Sequence, residues 1–320
     1  MVPRATVIAV LIGIEVALLY GMAVAVGGGP SLPTPAFGGP PGAAGVTAFA
    51  PQSFATGAHP SLAIDVGMAD VTIDTHPVAR IDVSVSDARR HVGSTASITA
   101  RSDGQTVHIV SDQTDFWSFM GDSRVIHISV PAATTVGIVN AGNVTVTGLR
   151  ADATIVSGAH FRSEDGIRVR DFQGTLNASA DGGTIDIADA ECPDLHVTAD
   201  NGRVTLTHVS ARKIDATSSN GRVEGTDLQL RDGRVASANG RVSLRFASGA
   251  DTTVTAAADN GHIDVSGFAA TPAKYVKSGG DDEDDDDDDA TSAQTVRVGA
   301  GSGRLDVHAG NGSIYLSQEG

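Results

Sequence analysis

The chain has 320 residues, of which 38 are glycine, 41% are hydrophobic and only 4% are aromatic, which excludes a large aromatic core and favours a regular backbone carrying small side chains. Of its net charge of −16, nine negatives lie in the single run Asp281–Asp289, leaving −7 for the rest and no basic footprint for nucleic acid. One cysteine, Cys192, excludes an internal disulfide framework and any cysteine-rich metal site.

The first predicted element is a membrane segment within residues 1–26. Thr6–Val26 is almost continuously apolar, long enough as a helix to cross about 30 Å of hydrocarbon. Its one flaw is Glu15, costing about 2.5–3.5 kcal/mol near the bilayer centre. Eleven Val, Ile and Leu residues from Val7 to Val26 offset that cost, at roughly −0.3 to −0.6 kcal/mol each. Arg4 alone precedes the stretch, so the positive-inside rule places the N-terminus in the cytoplasm and the remainder outside the cell membrane, a single-pass topology. Ala23-Val24-Ala25 fits a cleavage site, and a cleaved signal peptide, giving a secreted protein, is the alternative; the apolar run exceeds the usual h-region of about 7–15 residues. Residues 27–60, rich in proline and glycine, read as a spacer that cannot bury a core.

From Ser61 apolar and polar residues alternate with period two, as in Leu62-Ala63-Ile64-Asp65-Val66 and Val125-Ile126-His127-Ile128-Ser129-Val130. That spacing predicts strands and no helix, with residues 61–135 an irregular β-rich opening and 136–320 a regular repeat. Gly183, Gly202, Gly221 and Gly240 are 19 residues apart, and Gly261 follows 21 later. Val197, Ala216, Val235 and Ala256 keep step five residues upstream of the last four glycines. Two apolar columns at a fixed period near 20 predict a β-solenoid of stacked coils of about 19–21 residues. Asn201-Gly202, Asn220-Gly221, Asn239-Gly240 and Asn260-Gly261 are the predicted corners. Asn-Gly tolerates positive φ and so turns the chain, and stacked asparagine amides are expected to hydrogen-bond along the column. Gly303 and Gly312 resume the motif. Between them and Gly261 lies the acidic insertion, residues 277–290, expected to be a disordered solvated loop.

The strand ending Val125–Pro131, the segment Gly142-Asn143-Val144-Thr145-Val146-Thr147-Gly148-Leu149 and the Asn-Gly repeats together resemble a known family, the bacterial putative-adhesin domain of unknown function. The resemblance spans roughly residues 61–320 and implies an extracytoplasmic β-strand-repeat protein behind a membrane helix. The family brings no agreed catalytic residues.

The residue after each corner glycine points outward, giving a column Arg203, Arg222, Arg241 and His262. Guanidiniums about 5 Å apart suit a repeating anion of a cell-wall polymer or glycan; the plainer reading is a solvated face neutralised by its own acids. Two positions on, Asp186, Thr205, Glu224, Ser243 and Asp264 share that face. Carboxylates two coils apart, about 9–10 Å, admit a carbohydrate-active hydrolase or lyase as the alternative function. Asp281–Asp289 lacks the spaced ligands of a calcium loop. Cys192 reads as a structural thiol, and Phe116-Trp117-Ser118-Phe119-Met120 as an end cap. No nucleotide loop, hydrolase elbow or metal-ligand spacing is present, so no cofactor is expected. The expected function is a non-catalytic adhesion, binding or scaffold module of the envelope. A sensor acting through the helix and a second envelope protein in the membrane is the third reading.

Overall fold

Where apolar and polar residues alternate, the chain forms strands whose apolar side chains turn inward. The computed structural model describes residues 50–67, 69–89, 97–112, 123–158, 166–268 and 292–318. The membrane segment, residues 27–49 of the spacer, the aromatic cluster at 116–120 and the acidic insertion lie outside them. The chain divides into Met1–Thr47 and Ala48–Gly320, and the description concerns the second unit.

Its strands, in order, are β1 (Gln52–Ala55), β2 (Ser61–Asp65), β3 (Asp70–His76), β4 (Arg80–Arg89), β5 (Ser97–Ser102), β6 (Thr106–Asp112) and β7 (Ser123–Pro131). Then come β8 (Thr135–Ala141), β9 (Val144–Thr147), β10 (Ala153–Ser157), β11 (Ile167–Gln173), β12 (Leu176–Ser218) and β13 (Val223–Ser237). The last are β14 (Val242–Phe246), β15 (Thr252–Ala258), β16 (Ile263–Ser266), β17 (Ser292–Val298), β18 (Gly303–Ala309) and β19 (Ile314–Gln318). All belong to one hydrogen-bonded sheet that winds in a solenoid-like manner, so the all-β expectation holds. Strand β1 falls inside the segment expected as spacer and pairs antiparallel with β4.

In the middle of the stack the register step equals the sequence period. Val204 pairs with Val223, and Val223 with Val242, all parallel. The 43-residue β12 bends through more than two coils without a break. Each coil fills a narrow interior with aliphatic side chains: Val204, Leu206, Val209, Ala211, Ile214 and Ala216 are all buried. Burying a Val, Leu or Ile contributes about 1.5–3 kcal/mol, and only the neighbouring coils share in it.

Both ends depart from chain order. At the N-terminal end, β2 lies between β6 and β8, and β3 between β7 and β9, all parallel. The first coil is thus intercalated between the second, β6–β7, and the third, β8–β9. At the C-terminal end the mirror arrangement holds. Strands β18 and β19 lie between β13–β14 on one side and β15–β16 on the other. The expected direct stacking of Asn260-Gly261 on Asn239-Gly240 is therefore corrected, because the last coil occupies that place. Antiparallel strands flank these outer coils: β4 on β7, β5 on β6, and β17 on β15.

The corners also differ from expectation in their backbone. None of Gly202, Gly221, Gly240 or Gly261 has positive φ. Glycine is needed there for room: a Cβ at Gly221 would collide with the Gly202 carbonyl, and one at Gly240 with the Gly221 carbonyl. Buried serines bracket the same corners, Ser218 Oγ donating to the Gly202 carbonyl (3.1 Å) and Ser237 Oγ to that of Gly221 (2.7 Å).

Candidate functional site

The Asn-Gly corners set one flank of the stack. The glycine file runs Gly183, Gly202, Gly221, Gly240, Gly312, Gly261, each backbone resting on the carbonyl of the one before. Beside it the asparagine amides form the expected ladder in the corrected order. Asn220 donates to Asn201 (3.0 Å), Asn239 to Asn220 (2.9 Å), Asn311 to Asn239 (2.8 Å) and Asn260 to Asn311 (2.9 Å). Gly303 is not in this file; it packs on the Arg231 carbonyl, at the start of β18.

The residue after each glycine faces solvent, as the sequence predicts, and the register brings Arg203, Arg222 and Arg241 into adjacent rungs. His262 is not adjacent to Arg241, because Ser313 of the intercalated coil stands between them. In the companion column Tyr315 likewise stands between Ser243 and Asp264. Arg203 and Arg222 both approach Glu224, at 3.8 and 3.4 Å. Arg241 instead lies over the Tyr315 ring, 4.8 Å from its centroid. Glu224 thus pairs with the arginine of the preceding rung and with that of its own, and no ion pair among the described residues joins it to Arg241.

The acids of the enzyme alternative are held by the same flank. Asp186 sits 3.5 Å from Arg168 and 3.7 Å from Arg170, and Glu224 is shared by two arginines. Asp186 and Glu224 remain two coils apart. Asp264 is three coils from Glu224 because of the intercalated coil, about 14 Å at the usual strand spacing, beyond the inverting carboxylate separation of about 6.5–9.5 Å. Among the described residues the carboxyls of Asp82, Asp103, Asp215 and Asp251 are held below their ordinary range, chiefly by hydrogen bonds to the ionised form. A general acid needs the opposite displacement.

A second corner column carries positive φ on residues other than glycine. Asp171, Asp189, His208 and Asp227 have φ of 51°, 53°, 51° and 55°. His208 stands between Asp189 and Asp227, 3.3 Å from each. The signal lay in the sequence, as Asp or His at steps of 18 and 19 residues, and Asp is among the residues that visit the left-handed region most readily.

An open groove of about 590 Å³ is lined by Gln173, Gly174, Glu191, Cys192, Pro193, Ser210 and Arg212. Cys192 is buried, and burial, with Glu191 beside it, pushes its thiol up to about 12, where the nucleophilic thiolate is suppressed. Among the described residues no three His, Cys, Asp or Glu side chains are grouped to hold a metal ion. No helix there is long and apolar enough to cross a membrane.

No curated protein matches the chain. Solved structures similar to it include one called a putative adhesin from Bacteroides fragilis NCTC 9343 (13% identity over 84% of this chain and 96% of that one, TM-score 0.40). Another is called a putative lipid binding protein, from Parabacteroides distasonis ATCC 8503 (12% identity, 83% and 95% covered, TM-score 0.45). A third, from Parabacteroides merdae ATCC 43184, is again called a putative adhesin (8% identity, 85% and 97% covered, TM-score 0.43). The Toastrack DUF4097 family model matches residues 59–313, and the chain belongs to that family.

Proposed function

We propose that this protein is a non-catalytic, membrane-anchored extracytoplasmic module whose corner flank binds an anionic polymer of the cell envelope. The observation that carries the reading is the file of Arg203, Arg222 and Arg241 in consecutive rungs, with Glu224 the one carboxylate paired to it among the described residues. Three guanidiniums against one carboxylate leave a local excess of two positive charges on a chain of net charge −16. The glycine file and the amide ladder fix their spacing before any ligand arrives, which lowers the entropy lost on binding. A polymer with an anion at each step meets the guanidiniums through charge-assisted, bidentate hydrogen bonds. The N-terminal apolar segment supports placement outside the cell, tethered by residues 1–26.

Co-sedimentation of the full chain with purified cell-wall fractions tests the reading. The triple variant Arg203→Ala, Arg222→Ala, Arg241→Ala is expected to lose at least tenfold in affinity, and binding is expected to weaken with added salt. Equal sedimentation of wild type and triple variant would remove the proposal.

A further inference from the structure

The intercalated coil makes one end of the arginine file unlike the rest. Arg203 and Arg222 share a carboxylate, whereas Arg241 makes no ion pair among the described residues. The register explains this. Where Glu224 stands beside Arg222, Ser243 and then Tyr315 stand beside Arg241. An uncharged ring leaves the guanidinium charge uncompensated while the cation–π contact, at 4.8 Å, holds its plane in place.

On its other side Tyr315 meets His262, edge to face, with ring centroids 5.5 Å apart and planes at 85°. His262 Nδ1 is 2.9 Å from Ser313 Oγ, and its Nε2 is 3.1 Å from the Tyr315 hydroxyl oxygen. A neutral imidazole has one donor and one acceptor nitrogen. In either tautomer its N–H therefore satisfies one of the two hydroxyl oxygens, and that hydroxyl keeps its own hydrogen for an outside acceptor. A carboxylate-free guanidinium, an available O–H and an aromatic edge converge on a patch about two coils, or roughly 10 Å, tall. Asp264, exposed and in register with Tyr315, adds an acceptor suited to sugar hydroxyls.

We propose that Arg241, Ser313, Tyr315 and His262 form a discrete subsite for one oxyanion carried on a saccharide, a uronate carboxylate or a sugar phosphate. The subsite rests on the envelope-binding reading and assigns its anchor point to one end of the file. Arg241 and the free hydroxyl take the oxyanion, the Tyr315 edge packs on the sugar ring, and His262 acts as a positioning residue.

Calorimetric titration of the full chain in detergent decides it, with three probes: a tetrameric oligogalacturonate, an oligosaccharide bearing mannose 6-phosphate, and neutral maltotetraose. At least one anionic probe is expected to bind tenfold or more tightly than maltotetraose, and the two anionic arms separate carboxylate from phosphate. Arg241→Ala and Tyr315→Leu are expected to lose at least tenfold. Tyr315→Phe, which keeps the ring, loses less, and Arg203→Ala with Arg222→Ala loses less than Arg241→Ala alone. Thermal midpoints within a degree or two of wild type confirm that each substitution, at the exposed arginines or at half-buried Tyr315, leaves the fold intact. Retained binding in Arg241→Ala, or no preference for either anionic probe, overturns the subsite. Equal loss in the Arg203/Arg222 double variant also overturns it, yet leaves the broader file as the binding surface, so the two proposals fail separately.

Discussion

Gly221→Ala places one methyl group where the stack has no room. The added Cβ would lie inside contact distance of the Gly202 carbonyl oxygen and 2.8 Å from Ser218 Oγ. The carbonyl belongs to a coil hydrogen-bonded above and below, as in the parallel ladder of β12 with β13, so it cannot swing away alone. Overpacking costs typically about 1–3 kcal/mol. Backbone against backbone, with a bracketing serine also displaced, belongs at the upper end, about 3 kcal/mol. At roughly 2–4 °C per kcal/mol for a domain of this size class, the thermal midpoint falls by about 6–12 °C. Gly182→Ala is the control, since nothing lies within 4 Å of its added methyl and its φ is not positive. It should change the midpoint by no more than about 1–2 °C, because surface substitutions stay within about ±0.5 kcal/mol. Scanning calorimetry of both variants reads the difference. If Gly221→Ala melts with Gly182→Ala, close carbonyl approach is not why the corners are glycine, and the argument for the file is refuted.

The coil order is tested by paired cysteines in a Cys192→Ala background: Asn239→Cys with Asn311→Cys should cross-link on mild oxidation, and Asn239→Cys with Asn260→Cys should not. The first pair are neighbours in the ladder, while the second are two coils apart and beyond disulfide reach; the reverse pattern on a non-reducing gel would restore chain order. Native Cys192, with its thiol pushed up to about 12, is expected to resist thiol reagents at pH 8 and react only when denaturant opens the coil; rapid labelling of the native protein contradicts its burial. The carboxyl of Asp215 is held below the ordinary range, first by its hydrogen bond with His196. A native value below the unfolded one gives stability that is present above the unfolded value, about pH 3.9, and lost as pH falls through the native value. Wild type should therefore lose more stability than Asp215→Asn between pH 5 and pH 2, followed by urea unfolding; parallel losses would dismiss the linkage.

Particular residues show how much was legible. Val197, Ala216 and Val235 are all buried, as their 19-residue spacing requires. Asn201, Asn220 and Asn239 form the expected ladder, since a side chain repeated at the coil period has nowhere to go but beside its copy. The Arg203, Arg222 and Arg241 file was readable for the same reason. Tyr315 and Ser313 were not placed beside Arg241, although both sit in recognisable repeats. Thr252–Ser266 and Gly303–Ser317 carry interchangeable columns: Ala256 matches Val307, Asn260 matches Asn311, and Ile263 matches Ile314. Either coil satisfies the same rungs, so local pattern does not rank them. The corner geometry was misread at Gly202 and its equivalents because Asn-Gly suits two demands, positive φ and absence of a Cβ, and only coordinates distinguish them.

Strand character, the period, the identity of the inward columns and the residues displayed on the flank were fixed by the amino-acid order alone, because each depends on alternation and step length within a few neighbouring residues. The threading of the first and last coils between their neighbours, and with it the company kept by Arg241, was decided by the assembled stack. Those choices turn on which of several equivalent edges is still open when a coil arrives, a contest between distant segments that no local pattern records.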